Sequence, residues 1–476
     1  MNNTTADLRK TASFAEGAKG LIKKNTMSLA LVVVVILIEI LLHATGLGTM
    51  FKDMNISNLV SQNAYVLILA TGMLLCILTG GNIDLSVGSM VCFIGAVGGQ
   101  LIVNMNANIY VSILCCLAIG LAVGAWQGFW IAYVRIPAFI VTLAGMLIWR
   151  GMGWIVLNGY PISPMPKNFL DIFNGFLPGN SPPATALRTA LIGAGVLFLV
   201  LLILIVVQYV VRLCRRARER KKGHEVKKFS FPIRTLVIGI AIIIVIAAML
   251  YLFSIGPTRL ITLIVGGIIC LAIIALQVYG RLNRRKKGYQ VEHIAVTIIK
   301  ILVILVVIGG MTYFLSGYKG IPIVLIMLAV IVGAYAFYTS RTVPGRYLYA
   351  MGGNEKAAKL SGVNTNRMLF FAYTNMGFLS AFTALVCLGR FAAATPTMGN
   401  SYELDAIAAC FIGGASVTGG SGTVYGVVIG AILMGVLNNG MSMLHIDNNW
   451  QLPIKGFVLL AAVAFDVISK KRARSL

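Results

Sequence analysis

The chain has 476 residues, of which 58% are hydrophobic and 11% are charged, and its mean hydropathy is +0.89. A soluble domain would carry roughly twice that fraction of charged residues, so a large soluble core is excluded. The net charge of +25 comes mainly from short loops and the two termini and has no aromatic–basic surface beside it, which argues against nucleic acid as a partner.

Apolar runs of about 18 to 25 residues, the length of a bilayer-spanning helix, recur along the whole chain. They predict an all-α polytopic membrane protein with about 14 transmembrane helices. The polar, basic segment 1–26 has no obvious cleavage site, so the first apolar run is predicted to be a retained span. In chain order the predicted spans are 27–45, 58–79, 85–104, 111–133, 137–158, 187–211, 233–254, 259–279, 296–316, 320–339, 369–389, 403–418, 421–440 and 453–469.

The basic residues cluster in five segments that fall on one side of the membrane if this count is right. Both termini and the 340–368 loop are therefore predicted to be cytoplasmic. The long outer loop 159–186 is either a contact for an external partner or a plain connector. The predicted organisation is an N-terminal segment 1–26, a first transmembrane half 27–186, duplicated hairpins 187–316, a transmembrane helix 317–339, the loop 340–368, a second transmembrane half 369–469 and a tail 470–476.

Two internal repeats are visible. RKKGHEV at 220–226 recurs as RKKGYQV at 285–291, each between two apolar spans, which predicts a tandem duplication of a helical hairpin. Its basic turns favour orientation and contact with anionic membrane lipid over a specific ligand. The second repeat is weaker and pairs GGNIDLSVGSM at 80–90 with GGASVTGGSGTVYG at 413–426.

The two glycine-rich segments each follow one apolar span and open another. Such breaks at matching places in two halves point to a substrate pathway in transporter-like folds, although close helix packing through small residues is the alternative. Asp84 either hydrogen-bonds a polyhydroxylated solute or caps the third span, and the aromatic residues near 126 either stack on a sugar or pack. The candidate pathway residues are Asn82, Asp84, Ser86, Gly88, Trp126, Gln127, Ser416, Thr418 and Ser421.

Other polar residues lie within or at the ends of the predicted spans. Glu39 and Arg150 are expected to face protein or water because a charge at membrane depth is costly. Solvation at the interface is the default expectation for four further residues, which are Glu403, Asp405, Asn438 and Asn439.

The segment GGNEKAAKLSG at 352–362 reads as a short helix with its own start and stop signals. Asn354 is a cap, Glu355 suits the positive end of the helix dipole and pairs with Lys359, and Gly362 supplies a left-handed stop. About two turns are marginal alone in water, so this helix needs a partner to pack against.

No energy source is apparent in the chain. It lacks a G-x-x-x-x-G-K-S/T phosphate loop, an intramembrane series of histidines and acids suited to a proton relay, and a catalytic or metal-binding arrangement. The sequence therefore predicts a pathway that is driven by another subunit.

These segments resemble the permeases of ABC importers for monosaccharides, the ribose, xylose and galactoside branch. The resemblance rests on GGNEKAAKLSG after VPGRYLYA, which is similar to the coupling segment and its EAA motif. It also rests on NIDLSVGS at 82–89, IPAFIVTLAGMLIWRG at 136–151, the 403–426 segment and NNGMSM at 438–443. Within the branch, the chain looks most like the multiple-monosaccharide and xylose permeases, whereas residues 187–316 depart from the short ribose-type members.

The resemblance implies a type II-importer-like permease with internal pseudo-repeats in the bacterial cytoplasmic (inner) membrane. It implies a second permease copy, an ABC ATPase subunit that holds ATP and Mg, and an extracytoplasmic sugar-binding protein, with no cofactor in this chain. The residues it assigns to coupling with the ATPase are Gly353, Asn354, Glu355, Ala357, Ala358, Leu360 and Gly362.

Two other classes remain open from the residues alone. A self-powered secondary transporter or facilitator would share the glycine breaks but would need its own relay of charged groups. A membrane scaffold would share the basic loops but has no use for polar breaks at membrane depth.

Overall fold

The computed structural model describes residues 26–177, 258–286 and 294–474. The chain divides into two units. The first comprises Met1–Gly175 and Pro322–Leu476, and the second comprises Phe176–Ile321.

The amino-terminal part of the first unit is a series of helices joined by short connections. Asn63 interrupts the second span, and the fourth helix ends in a π-helical turn, Gln100–Asn104. The helices are α1 (Thr26–Ala44), α2 (Asp53–Gln62), α3 (Ala64–Leu78), α4 (Val87–Gly99), α5 (Ile109–Ala132), α6 (Ala138–Leu157) and α7 (Lys167–Phe173).

The second unit contains strand β1 (Phe176–Leu177) and helices α8 (Thr258–Lys286) and α9 (Ile294–Gly317), and it ends at Ile321, the first residue of strand β2 (Ile321–Pro322). The two helices pack together, and the two strands pair. The predicted spans 259–279 and 296–316 lie within α8 and α9. The spans predicted over 187–211 and 233–254, with the first copy of the basic repeat, lie outside the described residues, so the duplication stays a prediction.

The carboxyl-terminal part of the first unit carries the segments of functional interest. Two short helices follow α10 before the chain returns to long helices. The elements are α10 (Ile323–Arg341), α11 (Val343–Gly353), α12 (Glu355–Leu360), α13 (Thr365–Phe391), α14 (Tyr402–Ile412), α15 (Val424–Met443) and α16 (Asn448–Arg474).

Eight helical segments of the described chain are long and apolar enough to cross a membrane. All eight correspond to predicted spans, which confirms the polytopic all-α fold. They are Met27–Ala44, Asp53–Leu78, Val87–Asn104, Ile109–Ala132, Ala138–Leu157, Ile323–Arg341, Thr365–Phe391 and Val424–Met443.

The predicted span 403–418 is wrong in its extent. The helix α14 covers only Tyr402–Ile412, about 16 Å at the α-helical rise. It stops at Gly413 and Gly414, and Gly414 has φ +85, a left-handed conformation that glycine adopts without steric cost. Residues 413–423, which follow this helix, are non-helical.

The helix α3 is the centre of the first unit, since nearly all of its residues are buried. It packs against α10, α13, α14 and α15. The long helix α13 also packs against α5, and a Cβ on Gly377 would overlap the backbone of Gly120 and Gly124. Close backbone approach through small residues is typical of helix pairs in membranes.

Candidate functional site

The loop between α10 and α13 contains the two short helices, and each begins with a side-chain cap. The Thr342 hydroxyl accepts a hydrogen bond from Gly345 N at 3.1 Å, and the Asn354 side chain accepts one from Ala357 N at 3.0 Å. Gly362, φ +85, ends α12 in the left-handed conformation. The cap and the stop predicted for the 352–362 segment are therefore present.

Only one face of α12 is covered. Ala358 is buried, whereas Ala357 and Lys359 are exposed and the side chain of Leu360 is 90% exposed. A leucine so exposed outside the apolar spans gains about 1.5 to 3 kcal/mol when a partner buries it. The geometry agrees with the expectation that this helix needs a second surface.

Glu355 has a different partner from the one expected. Its carboxylate accepts a hydrogen bond from Arg135 at 2.8 Å, rather than forming the predicted pair with Lys359. The bond from Arg135 lowers the pKa of Glu355 below its ordinary value of 4.5, and the charge of Lys359 adds a smaller effect. Arg135 also donates to Thr365 Oγ1 at 3.1 Å, so it ties the α5–α6 turn to both sides of α12.

Arg135 was missed at the level of the sequence. It lies 220 positions from Glu355, in a short turn between two predicted spans. Its left-handed backbone, φ 66, has no signature in the residue types around it. Only the fold brings this guanidinium to the 352–362 segment.

In the first glycine break, Asp84 is fully buried just before α4. Its Oδ1 accepts hydrogen bonds from Ser86 N at 2.9 Å and Ser86 Oγ at 2.6 Å. Ser86 Oγ in turn lies 2.7 Å from Gln127 Nε2, a donor on α5. The predicted residues Asp84, Ser86 and Gln127 therefore form one buried polar group, while Oδ2 of Asp84 has no hydrogen-bond partner in the described part of the chain.

The other residues predicted in the first half lie elsewhere. Asn82 donates to Thr79 Oγ1 at 3.1 Å, at the carboxyl end of α3. Gly88 packs so closely on Gly399 that a Cβ would overlap its carbonyl oxygen. Trp126 is 40% exposed and lies edge-to-face against Trp149, with ring centroids 5.7 Å apart. Its neighbour Gln127 is fully buried, so the two side chains lie on different faces of α5.

In the second glycine break, the polar residues are closer to the surface. Ser416 is buried, and its hydroxyl lies 2.9 Å from that of Thr418. Ser416 N donates to Ser421 O at 2.9 Å, which closes the segment into a compact loop. Both Thr418 and Ser421 are exposed in the single chain.

The two breaks meet each other. A Cβ on Gly81 would overlap Val417 O, and one on Gly419 would lie 2.6 Å from Gly80 N. Gly420 N donates to Leu78 O at 3.3 Å. The sequence predicted the two breaks as counterparts, and the structure adds that their backbones are in contact.

At the opposite end of α3, the structure shows a buried charged cluster. Asp405 Oδ2 accepts hydrogen bonds from the Tyr65 hydroxyl, from Asn438 Nδ2 at 3.3 Å and from Lys455 Nζ at 3.0 Å. The carboxylate is 1% exposed, and the Tyr65 ring stacks on Tyr402 with centroids 3.7 Å apart. The expectation of interfacial solvation is wrong for Asp405, because it sits inside the bundle where an uncompensated charge would be costly.

Glu39 and Arg150 face protein, as expected. Glu39 Oε2 accepts a hydrogen bond from Met50 N at 3.0 Å. Arg150 donates to Met398 O at 2.8 Å and to Gly399 O at 3.1 Å, so it holds the turn that packs on α4. Asn439 is also buried, again contrary to the expectation of solvation.

The family model described as the permease component of the branched-chain amino acid transport system matches residues 55–216 and 226–463. The chain belongs to this family of transport permeases. No solved structure matches it.

Among its relatives are permeases named for sugars. The chain is 30% identical over 457 residues to the xylose transport system permease protein XylH of Escherichia coli K12, and the aligned region covers 96% of each protein. It is 32% identical over 425 residues to XylH of Haemophilus influenzae, 89% of this chain and 92% of the relative. It is 27% identical over 433 residues to the ribose import permease protein RbsC of Escherichia coli K12, 91% and 92% of the two chains.

These matches confirm the resemblance to the ribose and xylose permeases. They identify a multi-pass inner-membrane protein that is a transport component and not itself an enzyme. The coupling and pathway roles of individual residues stay predictions.

Proposed function

We propose that this permease is the membrane-spanning subunit of an ATP-driven importer of a monosaccharide, with pentoses such as xylose and ribose as the first candidates. The relatives that it matches over almost their whole length are named for the transport of these two sugars. Energy comes from a separate ABC ATPase subunit, because the 476 residues contain no phosphate-loop motif.

The observation that carries the proposal is the uncovered face of α12. This helix is capped at both ends, lies outside the apolar spans and exposes Leu360 beside Ala357 and Lys359. An ATPase subunit with an apolar cleft would bury this face and hold ATP and Mg. The coupling loop then lies in the cytoplasm, together with both termini, as the basic segments require.

For the solute pathway, the exposed hydroxyls of the second break are the stronger candidates. The hydroxyls of Thr418 and Ser421 can donate hydrogen bonds to a sugar and accept them from it. The polar group around Asp84 in the first break is buried, and its role is to stabilise that break. An external sugar-binding protein delivers the solute, and a second copy of the permease completes the pathway.

The direct test is uptake by the complex reconstituted in vesicles with its ATPase subunit and sugar-binding protein. A panel of pentoses and hexoses is supplied with and without ATP inside the vesicle. We expect ATP-dependent uptake of at least one pentose. Uptake that persists without the ATPase subunit would identify a facilitator instead.

Leu360 tests the docking role within the same system. Leu360→Asp places a charge on the exposed face and is expected to abolish capture of the ATPase subunit, while Leu360→Met keeps an apolar side chain and should behave as wild type. Equal capture by the two variants would remove α12 as the docking helix.

A further inference from the structure

Three backbone segments meet at one point near the 340–368 loop. They are the end of α3 at Leu78, the second break at Gly420, and the last turn of α11 at Gly352. Gly420 N donates to Leu78 O at 3.3 Å, and a Cβ on Gly352 would overlap both Gly420 N and Leu78 O. The three backbones are therefore in direct contact, which only a residue without a side chain permits at Gly352.

A second link joins α11 to the same break. The Tyr349 hydroxyl donates to Gly422 O at 2.9 Å. Tyr349 and Gly352 are three positions apart, so they lie on the same face of α11. This face meets the second break at two points, one steric and one polar.

The docking helix continues directly from this face. The helix α11 ends at Gly353, and the next residue, Asn354, is the cap of α12. Only two residues, Gly353 and Asn354, separate Gly352 from the first residue of α12. A movement of α12 therefore displaces α11 at its last turn.

Such a displacement reaches both breaks together. Gly419, next to Gly420, packs against Gly80 of the first break, and Gly81 packs against Val417. Closely packed backbones do not deform continuously but shift as units. The meeting point thus connects one cytoplasmic helix to both non-helical segments of the membrane region.

We infer that Gly352 and Tyr349 are positioning residues that transmit the movement of the docking helix to the two glycine breaks. The inference rests on the proposed function and adds residues that lie outside the docking helix itself. Their contacts described above are to Leu78, Gly420 and Gly422, so their effect should appear in the coupling of transport to ATP hydrolysis.

The chain offers a matched control for Tyr349 on the same helix. Tyr347 also lies on α11 and is 39% exposed. Tyr349→Phe and Tyr347→Phe are thus the same chemical change two residues apart. We measure sugar uptake and ATP hydrolysis by the reconstituted complex for Gly352→Ala and both tyrosine variants, after confirming that each captures the ATPase subunit.

We expect Gly352→Ala to lower the ratio of sugar transported to ATP hydrolysed by on the order of ten-fold, because the added methyl forces the three backbones apart. Tyr347→Phe should stay close to the wild-type ratio. If Gly352→Ala does not assemble, Tyr349→Phe decides. This variant removes one hydroxyl without adding volume, and we expect a drop in the ratio of about three-fold.

Two results have separate meanings. A wild-type ratio in Tyr349→Phe, together with a wild-type ratio in Gly352→Ala where that variant assembles, overturns the inference and leaves the proposed function intact. Absence of ATP-driven uptake by the wild-type complex overturns the proposed function itself, whatever the variants do.

Discussion

The helices α3, α14 and α15 are joined at both ends, but by opposite kinds of contact. At the end near the 340–368 loop, the glycine backbones of the two breaks touch each other directly. At the other end, about 20 Å along α3, a buried ion pair between Asp405 and Lys455 is enclosed by two tyrosines and an asparagine.

The two ends differ in the kind of substitution that would disrupt their contacts. Backbone contacts through glycine bury no charge, so they can separate and re-form as packed surfaces, and they are disrupted when a side chain is added. A buried ion pair is held by two charges that each need the other, and it fails when one is removed. The glycine end therefore suits motion, and the ion-pair end suits a fixed anchor.

The largest expected effect is at the Asp405–Lys455 ion pair. Lys455→Met leaves the Asp405 carboxylate buried without its cation, and we expect a loss of about 3 to 5 kcal/mol in stability. Thermal unfolding of the purified permease in detergent measures it. The double variant Asp405→Asn with Lys455→Met removes both charges and should recover most of the loss. A single variant that melts with the wild type would show that this end is no anchor.

The second prediction concerns Asp84, in the first glycine break. Asp84→Ala removes the acceptor for two Ser86 donors in a buried site, and we expect a loss of about 1 to 3 kcal/mol. Asp84→Asn keeps an oxygen at that position and should retain both the fold and uptake. The same unfolding assay and sugar uptake measure both variants. Lost uptake with an intact fold in Asp84→Asn would instead place the carboxylate charge in the transport cycle.

The cap of α12 gives a smaller effect. Asn354→Ala removes the hydrogen bond to Ala357 N and should cost about 1 kcal/mol of local helix stability. Because the docking face is then ordered less often, capture of the ATPase subunit should weaken by several-fold. Binding of the isolated ATPase subunit to vesicles measures this. Asn354→Asp keeps a capping oxygen and is the control; equal weakening by the two variants would contradict the role of the cap.

The smallest effect is a pH dependence at Glu355. Arg135 holds the pKa of this carboxylate below 4.5, so its contribution to stability is complete above pH 4.5 and is lost as the pH falls through the lowered pKa. Both side chains are about two-fifths exposed, so solvent screens the pair and the effect is small. Amide hydrogen exchange of α12 between about pH 3 and 6 measures it. Arg135→Gln should flatten the profile, and an unchanged profile would exclude this pair as its cause.

Local features were predictable because they depend on neighbours in the chain. Asn354 and Gly362 cap and stop α12 within a few residues of themselves, and apolar runs longer than 18 residues define spans whatever surrounds them. The prediction was wrong for 403–418, where the apolar run continues past the point at which Gly413 and Gly414 end the helix. Hydropathy does not distinguish a helix from irregular chain that is buried by its neighbours.

By itself, then, the amino-acid order determined the membrane class, the family, the two breaks and the short capped helix that lacks a partner. The tertiary structure alone decided that the breaks touch, that Arg135 rather than Lys359 meets Glu355, and that Asp405 is anchored by Tyr65 and Lys455. The physical reason is the distance along the chain over which each interaction acts. Caps and hydropathy act over a few residues or one span, whereas these contacts join positions up to 340 residues apart that only helix packing brings together.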